Sequence, residues 1–302
     1  MNRTDPARRS PGLALEFLRQ HVTTELKTLF GVPDAWIARV VTQWFDDSQN
    51  YDGRWHFLKE RGAPRGRILD MGAGCGTFML YGLREGQDVY GIEPESWKLE
   101  YFALKVAELG GPDEWIHRLV CGVGESLPWP EHTFDVVSCY QTIEHVASVQ
   151  DCLAEMLRVL KPGGHLHIRA PDYRSFFEPH YRLPFLPRMN RTLATHYLRL
   201  MRRPAAGLKT LHWVTEPDIR SAILAACPTA VIESIEEWFD NTRRARLRAR
   251  LPRPLKSELL FSAVTRLAVA KRATLRIGHF GREEKQMDLW VTKPPDARPA
   301  VS

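Results

Sequence analysis

The sequence predicts an α/β fold built on a doubly wound sheet of seven strands, with N-terminal helices and two helical insertions. Short apolar strands alternate with helical segments over residues 67–170, and a glycine cluster at 72–76 separates the first strand from its helix. Of the 302 residues, 44% are hydrophobic and 26% charged, which is typical of a globular chain with a sizeable core. The sequence contains no uncharged apolar run of about 18 residues, so no spanning helix is predicted.

Three helices are predicted before the sheet. Apolar side chains recur at helical spacing through residues 13–30. Pro33 opens a second helix that continues to Trp44. A third, short helix holds Trp55 and Leu58.

The alternation that follows defines the sheet. The predicted strands are residues 67–71, 88–93, 118–121, 134–140, 165–170, 230–235 and 287–292. The predicted helices between them are residues 77–83, 96–109, 149–160 and 216–226. A Lys-Pro-Gly-Gly turn at 161–164 is expected to end the helix before the fifth strand. Such alternation predicts parallel strands with a ligand crevice at their carboxyl ends.

Two stretches interrupt this rhythm. Residues 174–213 are aromatic, basic and irregular, and residues 240–283 are first Arg-rich and then amphipathic. We therefore predict an N-terminal tail with helices over 1–62 and one large domain over 63–293. That domain carries insertions at about 174–213 and 240–283, and a C-terminal tail follows at 294–302.

Charge is distributed unevenly along the chain. The net charge is +6, but residues 180–286 hold 21 Lys and Arg against 9 Asp and Glu, which is +12 and leaves −6 for the rest. This excess indicates either an acidic partner or a solvated basic face.

The five scattered cysteines show no C-x-x-C spacing, and the first residues lack an apolar signal core. Together these features predict a cytoplasmic setting.

The glycine cluster predicts a site for a ligand that contacts the backbone. Gly72, Gly74 and Gly76 lack the Cβ atoms that would keep a ligand away. A dinucleotide-binding G-x-G-x-x-G would place glycine at Thr77, and the absence of a following Lys-Ser/Thr pair excludes a P-loop. Glu93 ends the next strand, where a carboxylate can accept both hydroxyls of a ribose.

Five further motifs follow the glycine loop in order. They are Gly91-Ile92-Glu93, Gly124-Glu125-Ser126-Leu127-Pro128-Trp129-Pro130, Phe134-Asp135-Val136-Val137, Glu144-His145-Val146 and Leu157-Arg158-Val159-Leu160-Lys161-Pro162-Gly163-Gly164. In these motifs residues 67–170 resemble the class I S-adenosylmethionine-dependent methyltransferases, particularly the group that includes ubiquinone and menaquinone methyltransferases. The resemblance covers about a third of the chain. It implies a Rossmann-like fold, S-adenosylmethionine as the cofactor, and methyl transfer as the activity.

The resemblance also implies roles for individual residues. The glycine loop lies against the methionine part of the cofactor with Asp70 as its support, and Glu93 holds the ribose. Residues 123–125 line the adenine, although many relatives carry Asp where this chain has Val123. Gln141 lies near the methionine part. The implied cofactor-binding residues are Asp70, Gly72, Ala73, Gly74, Gly76, Glu93, Gly124, Glu125 and Gln141.

Catalytic candidates come from the loop after the fourth strand and from the first insertion. His145 lies at the predicted crevice, and an imidazole titrates near neutral pH, which suits a general base. The alternative is that Glu144 and His145 only cap and position the next helix. His180 is the second candidate, because substrate lids form in such insertions. Asp172, Tyr181 and Arg182 are the candidate lid residues, with plain packing as the alternative. No residues show metal-ligand spacing, so no metal is predicted.

The absence of one motif narrows the chemical class of the methyl acceptor. No Asn/Asp-Pro-Pro-aromatic sequence follows the fourth strand, which favours an oxygen or carbon acceptor over nitrogen. We predict methyl transfer to a small or lipid-linked molecule such as a sugar, a quinone-like ring or a carboxylate. The alternatives are an RNA-modifying methyltransferase and a non-catalytic cofactor-binding scaffold. The basic 243–272 segment predicts either a cap over the site or a peripheral contact with an anionic membrane at its inner face.

Overall fold

A computed structural model of the protein describes residues 12–47, 53–62, 66–236, 238 and 285–295. The helices are α1 (Leu13–Phe30), α2 (Asp34–Phe45), α3 (Arg54–Glu60), α4 (Thr77–Arg84), α5 (Ser96–Glu108), α6 (Val149–Val159), α7 (Arg191–Leu200) and α8 (Glu216–Ala226). The strands are β1 (Ile68–Met71), β2 (Val89–Glu93), β3 (Leu119–Cys121), β4 (Phe134–Tyr140), β5 (Leu160–Pro171), β6 (Phe177–Glu178), β7 (Leu183–Pro184), β8 (Val231–Ser234) and β9 (Gln286–Thr292). Short 3-10 helices span Asp113–Arg118 and Ala206–Thr210.

Seven strands form one sheet in the order β3-β2-β1-β4-β5-β9-β8. The pairs within β3 to β5 are parallel, whereas β9 is antiparallel to both β5 and β8. The strand order reverses direction between β1 and β4, and ligands bind at such a switch point, beyond the carboxyl ends of the strands. The predicted doubly wound, seven-stranded sheet is therefore confirmed, but the prediction of parallel strands was wrong for β9.

Helices cover both faces of this sheet. On one face α3, α4 and α5 pack through Trp55, Phe78 and Phe102. On the other, α6 and α8 pack through Met156 and Ile223. All five side chains are buried, and each such burial contributes about 1.5–3 kcal/mol. The two layers therefore hold the carboxyl ends of β1, β2 and β4 in fixed relation.

The N-terminal helices and the first insertion share a third apolar cluster. Val22 and Phe30 of α1 are buried together with Tyr181 and Leu198 of the insertion. The same cluster includes Cys75 of the glycine loop. The predicted lid segment and the N-terminal helices therefore pack together beside that loop.

The structure differs from the sequence prediction at residues 161–164, which lie inside β5 instead of forming a turn before it. The pairing passes from Phe134 opposite Leu160 to Val136 opposite His165. The extra residues form a bulge in which Gly163 has φ +77°, and a bulge accommodates an insertion without ending the strand.

Within the stretch predicted to be irregular, residues 191–200 form a regular helix, α7, which agrees with the predicted helical insertion. The Asn190 side chain accepts hydrogen bonds from the amides of Thr192 and Leu193 and so caps the helix. Ala194 and Leu198 are buried on one face. This apolar face is short and interspersed with arginines, so the helical spacing of its apolar residues is hard to detect in the sequence.

The remaining predictions about organisation are only partly covered by the described residues. The second insertion at 240–283 and the 243–272 segment lie outside them, as does most of the tail at 294–302. The domain boundaries stay predictions. None of the described helices is both long and apolar enough to span a membrane.

Candidate active site

The glycine loop follows the carboxyl end of β1. Gly72, Gly74 and Gly76 all adopt positive φ, between +56° and +72°. A Cβ atom at Gly72 would lie 2.2 Å from Thr142, and one at Gly76 would lie 2.2 Å from Phe102, so packing requires glycine at both. A Cβ atom at Gly74 would meet nothing within 4 Å. The backbone of Gly74 is therefore the part of the loop that a ligand can approach.

The carboxylate of Glu93, at the end of β2, faces this loop and is only 4% exposed. Its Oε2 accepts a hydrogen bond from the Gly74 amide at 2.9 Å. Its Oε1 lies 3.3 Å from the Glu95 amide and 3.5 Å from Nζ of Lys98. A carboxylate offers about four acceptor positions, so Glu93 can also accept ribose hydroxyls. The open backbone at Gly74 beside this carboxylate fits S-adenosylmethionine.

Helix α1 adds a further carboxylate, Glu25, that sequence reasoning missed. Its Oε2 is buried and has no hydrogen-bond partner among the described residues. Burial raises the pKa of Glu25, Lys98 opposes this rise, and Glu95 and Glu93 reinforce it. Burial opposes charging of Lys98, but attraction to Glu93, Glu25 and Glu95 outweighs it and raises the pKa of Lys98. Three carboxylates and one amine therefore border the glycine loop.

Asp70, at the end of β1, is 1% exposed and accepts a hydrogen bond from Nη1 of Arg54 at 2.8 Å. The Arg54 guanidinium is itself buried, 4.0 Å from the ring centre of Phe78 and 4.6 Å from that of Tyr140. Burial raises the pKa of Asp70, and the Arg54 charge counteracts this. The base of the loop is thus tied to α3. No motif marks Arg54 as a partner of Asp70 in the sequence.

Gln141, directly after β4, has φ +54°. Its side-chain amide donates to Oε1 of Gln286 at 2.5 Å, and its backbone amide donates to the Arg169 carbonyl at 2.7 Å. The next residue, Thr142, contacts Gly72. Gln141 therefore lies next to the loop, held by β5 and β9.

Gly124 and Glu125 make structural contacts. A Cβ atom at Gly124 would lie 2.5 Å from Met71 Cε, so this glycine allows close packing against β1. Oε1 of Glu125 accepts the backbone amides of Ala147 at 2.6 Å and Ser148 at 3.0 Å. Glu125 therefore fixes the approach to α6, and its assignment to adenine stays a prediction.

The structure brings His145 and His180 together, with ring centres 4.9 Å apart at 84°. Nδ1 of His145 lies 2.9 Å from the Thr210 carbonyl, which can only accept, so the proton is on Nδ1 and the lone pair on Nε2. Nδ1 of His180 lies 2.7 Å from Oε1 of Glu178, which gives the same assignment. Desolvation by the surrounding chain and the neighbouring His180 lower the pKa of His145, although its side chain is still 34% exposed, so the neutral ring is favoured at neutral pH.

The candidate lid residues make different contacts. Tyr181 is fully buried, and burial raises its pKa to about 12. The guanidinium of Arg182 lies 4.1 Å from the ring centre of Trp36 on α2. Burial favours the neutral form of Asp172, but hydrogen bonds from Arg174 outweigh it and lower the pKa. These contacts show packing and ion pairing, and a contact with substrate stays a prediction.

Glu144, His145 and His180 form a compact group at the edge of the insertion. One ligand-type atom of each lies within 4.8 Å of the others, in the part of the chain that the structure describes. Two imidazole nitrogens and a carboxylate suit several divalent cations. The sequence prediction of no metal is not tested by this geometry, so metal dependence becomes a control in the experiments below.

Comparison with known proteins indicates the kind of domain. Residues 69–168 match the family model for a methyltransferase domain. The ubiquinone biosynthesis O-methyltransferase of Pectobacterium carotovorum is 27% identical over 160 residues, which are 51% of this chain and 62% of that protein. The protein of the same name from Vibrio cholerae is 34% identical over 100 residues, covering 33% and 40%. The chain thus spans less than two thirds of these curated relatives.

A solved structure of an S-adenosylmethionine-dependent methyltransferase from Mesorhizobium loti is 16% identical with a TM-score of 0.49, and the match covers 82% of this chain and 100% of that one.

The motifs, the strand order and the family match together define the class. Residues 69–168 form a class I S-adenosylmethionine-dependent methyltransferase domain. The cofactor of this domain is S-adenosylmethionine, and the open backbone at Gly74 beside Glu93 fits it.

Proposed function

We propose that this chain transfers the methyl group of S-adenosylmethionine to a hydroxyl oxygen of a small-molecule acceptor. The observation that carries the proposal is the proximity of the glycine loop to the histidine pair. Thr142 contacts Gly72, and its carbonyl accepts the His145 amide at 2.8 Å. Bound S-adenosylmethionine supplies an activated methyl group. The chain must then orient the acceptor and receive its proton.

An oxygen acceptor is supported by the histidine pair and by the relatives. A hydroxyl loses its proton when its oxygen is methylated, and His145 and His180 both carry a lone pair on Nε2. The two relatives are named as O-methyltransferases of ubiquinone biosynthesis, which favours a quinone-like, lipid-linked ring. A sugar hydroxyl, a carboxylate and a carbon acceptor are the remaining acceptors of this class.

The cofactor roles of Asp70, the glycine loop, Glu93 and Gln141 belong to the same proposal. Gln141 lies beside the loop through Thr142, and Asp70 supports the loop from below with Arg54. Contact with RNA or an anionic membrane was predicted from the basic segment at 243–272. That segment lies outside the described residues, so both partners, and the cytoplasmic setting, stay predictions.

Isothermal titration of S-adenosylmethionine, followed by transfer of a labelled methyl group, tests the proposal. The acceptors are a soluble catechol with an aliphatic tail, the matching aromatic amine, and bulk RNA. We expect label in the catechol. We also expect at least about tenfold weaker cofactor binding by Glu93→Ala, because charged hydrogen bonds are worth roughly 1.5–3 kcal/mol.

Glu233→Ala is the matched control, since Glu233 lies on the outer strand β8 and is half exposed. Its cofactor binding should equal that of wild type. Label in the amine but not in the catechol would overturn the oxygen acceptor, and label in RNA alone would overturn the small-molecule acceptor. Folded wild-type protein that binds no cofactor would overturn the enzyme proposal as a whole.

A further inference from the structure

Glu178 is a buried carboxylate in the β6–β7 hairpin that the proposed function does not yet use. It is 0% exposed. Its Oε1 accepts from Nδ1 of His180 at 2.7 Å and from the Tyr173 hydroxyl at 3.3 Å, and its Oε2 accepts the Tyr181 amide at 2.5 Å. A buried carboxylate is stable only when donors surround it in this way. The hairpin thus holds one carboxylate in a fixed direction toward one imidazole.

The His180 ring is also fixed from two other sides. Phe30 of α1 stacks on it with ring centres 5.4 Å apart and planes at 29°. The His145 ring lies nearly perpendicular to it, with ring centres 4.9 Å apart. With Nδ1 bound to Glu178 and the ring packed against Phe30 and His145, the tautomer and the direction of Nε2 are set before an acceptor binds.

We propose that Glu178 is a positioning residue for methyl transfer, which keeps the His180 proton on Nδ1 so that Nε2 takes the acceptor's proton. This inference rests on the proposed function for its acceptor. The acceptor oxygen gives its proton to Nε2 of His180 and its electron pair to the methyl carbon. The pair that bound the methyl group stays on the cofactor's sulfur. Glu178 then stabilises the imidazolium that forms, as carboxylates do in comparable pairs.

The geometry favours His180 over His145 as the proton acceptor. Nδ1 of His145 faces a backbone carbonyl, whereas Nδ1 of His180 faces a carboxylate, which stabilises a positive ring more strongly. The titratable groups around the two rings are Glu178 and His212 from the insertion, Tyr173 after β5, Glu144 from the loop after β4 and Lys98 of α5. Glu144 faces Nε2 of His145 at 4.0 Å.

Nitrogen-15 NMR of histidine-labelled full-length protein tests the positioning directly, with the His180 signals assigned by His180→Gln. Wild type should show His180 protonated on Nδ1. In Glu178→Gln, we expect His180 to titrate at a pH about one unit or more lower, because a facing negative charge is gone. Glu233→Gln, at the distant outer strand, should leave the His180 signals unchanged.

Kinetics separate positioning from a purely structural role. In Glu178→Gln we expect kcat to fall about tenfold to a hundredfold at neutral pH with KM for the cofactor unchanged. We also expect the kcat profile to shift with the His180 titration. A fall in kcat without any change in the His180 tautomer or titration would overturn the proposal.

Two further outcomes are decisive. If wild type shows His180 protonated on Nε2, the proposal is wrong even if Glu178→Gln cannot be made in folded form. If a chelator abolishes transfer and a divalent cation restores it, His180 acts with Glu144 and His145 as a ligand instead. Because NMR needs no acceptor, the correct tautomer without turnover would contradict only the proposed function.

Discussion

At the scale of single residues, two glycines allow the effect of backbone strain to be measured separately from the effect of ligand contact. Gly74 and Gly110 both have positive φ, +56° and +65°, and a Cβ atom at either would meet nothing within 4 Å. Alanine should therefore strain the backbone similarly at both, by about 1–2 kcal/mol. Only at Gly74 does the new methyl group enter the space assigned to the cofactor.

We accordingly expect Gly74→Ala to weaken S-adenosylmethionine binding by at least about tenfold, which corresponds to about 1.4 kcal/mol. Gly110→Ala should bind the cofactor like wild type, with a similar loss of thermal stability. Isothermal titration and thermal unfolding measure the two effects. Equal affinity in both variants would place the cofactor elsewhere.

The residue scale also shows what the sequence could predict about the site. Gly72, Gly74 and Glu93 could be identified because they belong to motifs whose order and spacing are visible in the sequence itself. Glu178 and Arg54 could not, because their importance comes from partners that only the tertiary fold brings near. The distance of 2.8 Å between Arg54 and Asp70 joins elements that no local pattern connects.

At the scale of elements, α1 brings a poorly hydrated carboxylate to the cofactor loop. Burial raises the pKa of Glu25 in the folded protein above its ordinary value near 4.5. The protonated carboxyl is thus favoured by folding, and this stabilisation is lost as the pH rises through the raised pKa. Above the raised pKa, the folded protein must hold this carboxylate charged although it is largely desolvated.

We therefore expect Glu25→Gln to melt at a higher temperature than wild type at pH 8, by a few degrees, with the difference shrinking toward pH 4.5. Glu16→Gln, on the same helix with a side chain 69% exposed, should change little at either pH. Thermal unfolding followed by circular dichroism measures both variants. A lower melting temperature of Glu25→Gln at pH 8 would mean that attraction to Lys98 outweighs the cost of burial.

Elements with a complete local signal were predicted closely, and elements shaped by packing were not. Residues 13–30 and 216–226 match α1 and α8 because each carries its apolar period and its ends in the sequence. The bulge in β5 and the helix α7 depend on neighbours: β5 follows the register of β4, and α7 is stabilised by the cluster it shares with α1.

At the scale of the whole molecule, one buried ion pair ties the N-terminal helices to the sheet. Arg54 of α3 and Asp70 of β1 meet at 2.8 Å with side chains 7% and 2% exposed. Arg61 and Glu233 meet at the same distance but are 30% and 52% exposed. The two pairs therefore have the same chemistry but differ in burial. Burial determines how much folding stability is lost when one partner is removed.

We expect Arg54→Met to destabilise the fold by about 3–5 kcal/mol, because it leaves the Asp70 carboxylate buried without its cation. Arg61→Met should cost less than about 1 kcal/mol, since water can solvate Glu233. Combining Arg54→Met with Asp70→Asn should recover part of the lost stability, because it removes the unpaired buried charge. Urea unfolding of the four proteins, including wild type, measures these differences. A similar cost for Arg54→Met and Arg61→Met would show that the N-terminal helices do not depend on this pair, and that apolar packing alone holds them against the sheet.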